Sequence, residues 1–118
     1  MAVKRKTGRD ARSKPRGPLT REQVLRAAVR VADEGGLEAL SMRELGRRLG
    51  VEAMSLYHHV SRKDEVLDGI ADLVLTEIDL PAEQVDWRTS MRARALSARE
   101  VFSRHPWAPA LVDARLEE

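Results

Sequence analysis

The sequence predicts an all-α protein, and three observations carry that expectation. Apolar residues recur at intervals of three and four through most of the chain, the spacing of an amphipathic helix rather than the alternation of a strand. Side chains that cap helices stand immediately before these runs, and Gly or Pro stands after them. Aromatic residues make up only 3% of the 118 residues against 42% hydrophobic overall, so the core is built from Leu, Val, Ile and Ala, which suits packed helices. A chain of this length buries one modest core.

The charge is distributed unevenly. Residues 1–63 carry fifteen Lys and Arg against seven Asp and Glu, whereas residues 64–118 carry six against twelve. One end is suited to meet a polyanion and the other is not. There is no cysteine, which removes disulfides and thiolate metal sites and agrees with a reducing compartment. No apolar run reaches bilayer length and the N-terminus lacks a signal-peptide core. The expectation is a soluble, cytoplasmic protein with no membrane association.

Met1–Pro18 holds seven basic residues, one acid, two Pro and two Gly. It is expected to be disordered when free, either as a solvating tail or as an arm that neutralises phosphates or enters a minor groove. A first helix then starts at Thr20, with Gln23 returning the capping bond and Leu19 stapling onto Val24. Val24, Leu25, Ala28, Val31 and Ala32 form its apolar face, and Gly35-Gly36 suits a left-handed end. The same start signal recurs in LSMRE: Ser41 caps, Glu44 completes the box and Leu40 staples onto Leu45. This second helix runs to Leu49, and Gly50 permits a sharp turn.

A third, short helix is expected from Ala53 to His59. Ser61 offers the next cap, with Asp64 and Glu65 in a first turn where the helix dipole favours acids. Val66, Ile70, Val74 and Ile78, joined by Leu67, Ala71 and Leu75, then mark a long helix that Leu80-Pro81 breaks. Gly69 within it indicates a close contact rather than a hinge. A fifth helix spans about Trp87 to Ser103, with Trp87, Met91, Ala95, Ala98 and Phe102 on one face. His105-Pro106 and Pro109 end it, and a sixth begins near ALVDARLEE.

Leu45, Leu49, Val51 and Leu56 are spaced to face inward from two helices meeting at an angle, with Gly46 small at the crossing and Gly50 at the turn. That is the helix-turn-helix pattern, whose second helix lays its N-terminal residues into the major groove of DNA. Ala53, Met54, Ser55 and His58 fit the reading role.

The stretch GLEALSMRELGRRLGVEAMSLYHHVSRKDEVL resembles the DNA-binding domain of the TetR family of transcriptional regulators. The resemblance covers Leu19 to about Leu80. It rests on the glycines after the first helix, Ser-Met-Arg-Glu, LGV at the turn, LYHHV and the lysine two residues before Glu65. More weakly, the segment with DWR and RHPW is similar to the opening of the family's helical ligand-binding domain. Three parts are therefore expected: a basic arm over 1–18, a three-helix DNA-binding domain over 19–65, and a connecting helix with the beginning of a helical ligand-binding and dimerisation domain over 66–118. That last domain is expected to be partial.

The resemblance implies that Arg43 reaches a base or a phosphate, that Ala53, Met54 and Ser55 approach base edges, and that Tyr57 touches a phosphate. It also implies that His58 contacts base or backbone, that His59 binds phosphate or packs nearby, and that Lys63 grips a phosphate. Each has an ordinary alternative: a surface arginine, a packed methionine, a half-buried tyrosine, a histidine satisfied within the fold. Thr20 adds a hydroxyl and free backbone N–H groups at a helix start, suited to a phosphate or to capping alone.

The implied function is sequence-specific, ligand-responsive repression by a homodimer on a palindromic operator, with a small-molecule effector if the C-terminal domain is complete. The alternative is a non-catalytic module that attracts polyanions or proteins by charge. Catalysis finds no support. His58 and His59 diverge by about 100° on a helix, and neither a glycine-rich phosphate loop nor a Ser-His-Asp set is present. No cofactor or metal is expected.

Overall fold

The computed structural model describes residues 18–78 and 86–117. The basic arm and the Leu80-Pro81 break therefore lie outside the described residues, apart from Pro18. Within them the order is α1 (Arg21–Gly35), a 3-10 turn (Leu37–Ala39), α2 (Met42–Leu49), α3 (Ala53–Leu56), α4 (Lys63–Thr76), α5 (Trp87–Arg104) and α6 (Ala108–Leu116).

Local chemistry sets the first two starts. Thr20 accepts from the Gln23 amide at 3.2 Å while Gln23 Oε1 accepts from the Thr20 amide at 2.8 Å, a complete capping box. Gly36, at φ 81°, closes α1 with a bond to the Ala32 carbonyl. Ser41 caps α2 through the Glu44 amide at 3.0 Å, but the expected return bond is missing. Glu44 instead accepts from Arg47 and Arg48, because two guanidinium groups outcompete one backbone N–H for a carboxylate.

Val24, Leu25, Ala28 and Val31 of α1 meet Leu45 and Leu49 of α2, Leu56 of α3 and Val66, Ile70 and Val74 of α4 in one buried cluster. Each buried Leu or Val contributes about 1.5–3 kcal/mol relative to exposure. Gly69 lies against α1: a Cβ there would stand 2.6 Å from a Leu25 methyl, so close packing explains it. Val101 of α5, with Trp107 and Ala108 beyond it, joins the last two helices to the same core.

Five details of the local expectation differ. The α-helical part of the third helix ends at Leu56, and Tyr57, His58 and His59 form turns whose amides bond three residues back. Ser61 does not cap α4. Arg62 is the N-cap and makes no side-chain capping bond, while the Glu65 carboxylate reaches back to accept from the Ser61 amide. Leu75 is exposed rather than part of the buried stripe, and Ile78 lies past the helix end. Pro109 sits in the first turn of α6, where its missing N–H costs nothing, so it starts that helix and does not end α5. On α5, Trp87 and Met91 are 72% and 56% exposed, and Val101 is the residue that buries.

Candidate nucleic-acid interface

Gly50 adopts the left-handed conformation, φ 71° and ψ 31°, and turns the chain sharply after α2. The Val51 amide then bonds back to the Gly46 carbonyl at 2.9 Å. A Cβ on Gly46 would lie 2.7 Å from the Val51 carbonyl and 3.3 Å from the Ala53 amide, so glycine is what lets the turn and the start of α3 rest on α2. Leu56, completely buried, anchors α3 from beneath.

With that inward side fixed, the outward side is formed by the helix and the turn that follows it. Met54 is 76% exposed and Tyr57 46% exposed, and His58 is exposed beside them. Ser55 and His59 are half-buried at the edges of this face, and Ala53 is half-buried where α3 meets Gly46. The residues expected to read base edges thus stand together on one short segment, with apolar anchors on its other side.

The arginines of α2 divide into two kinds. Arg48 bridges Glu34 of α1, at 2.6 and 3.1 Å, and Glu44 of its own helix, at 2.9 Å. Arg47 also pairs with Glu44, at 2.7 Å. Hydrogen bonds from Arg47 and Arg48 hold the Glu44 carboxyl down at about 2, and the bond from Arg48 lowers Glu34. Arg43, exposed on the first turn of α2, makes no ion pair among the described residues. It remains available to an external anion.

Lys63 opens α4 and is exposed, likewise without an ion pair among the described residues. Arg62 precedes it in the same state, a basic residue that sequence reasoning passed over because Ser61 had been assigned the cap. Glu65 is lowered chiefly by the Ser61 amide, with smaller contributions from Arg21 and Arg62, which places the start of α4 near the start of α1. Thr20 is at that α1 start, exposed, its hydroxyl oxygen already occupied by the Gln23 amide.

Among the described residues, no group of three or more His, Cys, Asp or Glu is arranged to hold a metal ion, and no helix is long and apolar enough to cross a membrane. The chemistry on offer is hydrogen bonding, apolar contact and positive charge.

Comparisons with known proteins point the same way. Residues 24–70 match the family described as bacterial regulatory proteins, tetR family. The chain is 44% identical over 108 residues to an HTH-type transcriptional regulator of Saccharopolyspora erythraea, a match covering 91% of this chain and 45% of that protein. It is 42% identical over 103 residues to the HTH-type transcriptional repressor DrrR1 of Streptomyces coeruleorubidus, covering 86% and 38% respectively. The fold is similar to that of BioQ, solved with its natural double-stranded DNA operator, at a TM-score of 0.75 and 29% identity over 85% of this chain and 60% of that one. The chain thus spans less than half the length of the two curated relatives. Its glycine-turned helix pair and these similarities together establish that residues 24–70 of this chain are a domain of the TetR family of bacterial regulatory proteins.

Proposed function

We propose that this chain is the DNA-reading part of a ligand-responsive transcriptional repressor that acts in the cytoplasm as a homodimer on a palindromic operator. The observation that carries this reading is the exposed face that Met54 of a short helix and Tyr57 and His58 of the turn after it form on a segment seated against α2. A major groove about 12 Å wide admits one helix with its side chains, and this segment stands outside the core.

In this reading Ala53, Met54 and Ser55 approach base edges, and Arg43 offers its uncommitted guanidinium to paired acceptors such as those of guanine. Tyr57, His59, Lys63 and the α1 start at Thr20 hold phosphates, and His58 reaches a base or the backbone. Phosphate contacts fix register and base contacts specify. Arg62 joins Lys63 as a second phosphate contact. Repression is supported by the name of the Streptomyces coeruleorubidus relative. A small-molecule effector would act through the helical segment that α5 and α6 begin.

The test is selection of bound sequences from random duplex DNA. Enrichment of a two-fold symmetric sequence, bound several orders of magnitude more tightly than scrambled duplex, is the expected result. Binding that follows salt concentration alone, with no sequence enriched, would leave only charge attraction and sink the proposal.

A further inference from the structure

The corner between α5 and α6 holds a charge cluster that the DNA-reading face does not use. Pro106 disfavours helical backbone at the residue before it, and His105 leaves the helix at φ −129° and ψ 73°. Its ring is thereby turned inward, 6% exposed, between carboxylates from two other helices. Nδ1 lies 2.7 Å from Asp33 Oδ1 in the last turn of α1. Nε2 lies 3.1 and 3.2 Å from the two oxygens of Glu77, the residue that follows α4.

The surroundings close the cluster. The Trp107 indole donates to the same Asp33 oxygen at 2.7 Å and meets the His105 ring edge-on, centroids 5.7 Å apart. Arg104 donates to Glu77 at 3.0 Å. Arg26 and Arg30 of α1 line a cleft with Glu77, and Glu38 lines another with Asp33 and Trp107.

A neutral imidazole has one N–H and one lone pair. Facing a carboxylate from each nitrogen, it can satisfy one and must point its lone pair at the other. Only the imidazolium donates to both. With that proton present, Asp33, Glu77, Arg104 and His105 sum to zero charge; without it, a net negative charge is left around a buried ring whose carboxylate partners are themselves only about a third exposed.

We propose that His105 is a protonation-dependent positioning residue: as imidazolium it pins the C-terminal end of α4 to the C-terminal end of α1, and on losing its proton it releases that end of α4. The opposite end of α4 carries Arg62 and Lys63, so the state of His105 sets how firmly the phosphate-facing start of that helix is held. This last consequence rests on the DNA-binding reading; the pin itself does not.

The titration behaviour supports the geometry. Burial pulls His105 down, but the hydrogen bonds with Asp33 and Glu77 outweigh it and raise the group above the ordinary 6.5. Burial likewise pushes Glu77 up, and hydrogen bonds from Arg104 and His105 outweigh it and leave Glu77 lowered. Because the folded-state value of His105 stands above 6.5, its contribution is complete below that pH and is lost as pH rises through the folded-state value.

The test follows the imidazole resonances of the three histidines by NMR through a pH series, with His105→Gln assigning the signal. In parallel, amide exchange in the last turn of α4 is measured and corrected for intrinsic rates. His105 is expected to titrate above 6.5, and Asp33→Asn and Glu77→Gln each to lower its midpoint. Exchange in the last turn of α4 should accelerate through that same midpoint. Each unit by which the midpoint exceeds 6.5 corresponds to about a tenfold change in favour of the pinned state between low and high pH. His105→Gln should abolish this pH dependence.

A wild-type midpoint at or below 6.5 would overturn the proposal without any variant. So would α4 exchange that ignores the His105 midpoint. Neither measurement uses DNA, so failure of the operator selection leaves the pin standing, and failure of the pin leaves the operator reading untouched.

Discussion

Arg43 and Arg48 belong to one helix five residues apart, yet only one is chemically free. Arg48 is committed to Glu34 and Glu44, and Arg43 to nothing among the described residues. Replacing Arg43 or Ser55 by Ala should therefore relax base preference at particular operator positions by about 1–3 kcal/mol, read by competition among single-base operator variants. Lys63→Ala should act differently. It removes a point charge rather than a base contact, so it should weaken binding to all duplexes and reduce the slope of log affinity against log salt by about one. An unchanged slope would remove Lys63 from the phosphate contacts. The contrast between Arg43 and Arg48 was not legible in the sequence, because Glu34 is fourteen residues from Arg48 and only folding of α1 beside α2 joins them. The outward position of Met54 was legible, since Leu56 fixes the inward side of the helix, whereas the turns that carry Tyr57 and His58 beyond Leu56 were read as further helix.

Among the elements, the α2–turn–α3 unit depends on two glycines with different duties. Gly50 supplies a backbone conformation, and Gly46 supplies room. Gly46→Ala should destabilise the fold by about 1–3 kcal/mol, since the atom it would strike is the Val51 carbonyl, which cannot move without shifting α3. Chemical denaturation measures this, and DNA affinity should fall further than stability alone explains. The pairing of Glu44 with Arg47 and Arg48 within α2 has its own signature in acid. Arg47 and Arg48 hold Glu44 at about 2, below its ordinary 4.5. Its stabilisation is thus present above pH 4.5 and lost as pH falls toward about 2. Glu44→Gln should flatten the denaturation midpoint across that window relative to wild type. The starts of α1 and α2 were readable because a capping residue and its partner amide are three positions apart. The start of α4 was misread because Glu65, four residues on, took the Ser61 amide and left the serine hydroxyl without a capping role.

At the scale of the whole molecule, the basic N-terminal half and acidic C-terminal half assign opposite electrostatic tasks to the two ends. Removing Met1–Pro18, seven basic residues against one acid, should lower affinity for duplex DNA and its salt dependence if those charges meet phosphates. Equal affinity with and without them would reduce the segment to a solvating tail. The helix order could be read ahead of the structure because amphipathic runs mark the helices and local capping marks the starts of α1 and α2, although the end of α3 and the start of α4 were placed elsewhere. How the helices are tied together could not: His105 meets Asp33 across 72 positions and Glu77 across 28, and no local pattern marks either pairing.

The tight seat of Val51 over Gly46 has a further consequence for how errors in a target site are tolerated. Because the carbonyl rests where a methyl group would not fit, the segment after Gly50 is expected to have little freedom to re-aim toward an ill-matched groove. On the DNA-binding reading, adaptation would then come from the duplex, by bending or by changing groove width, at a cost that varies with base steps between the contacts. Discrimination by this protein should accordingly extend to bases between its contacts, where stiffness rather than hydrogen-bond lettering distinguishes one site from another.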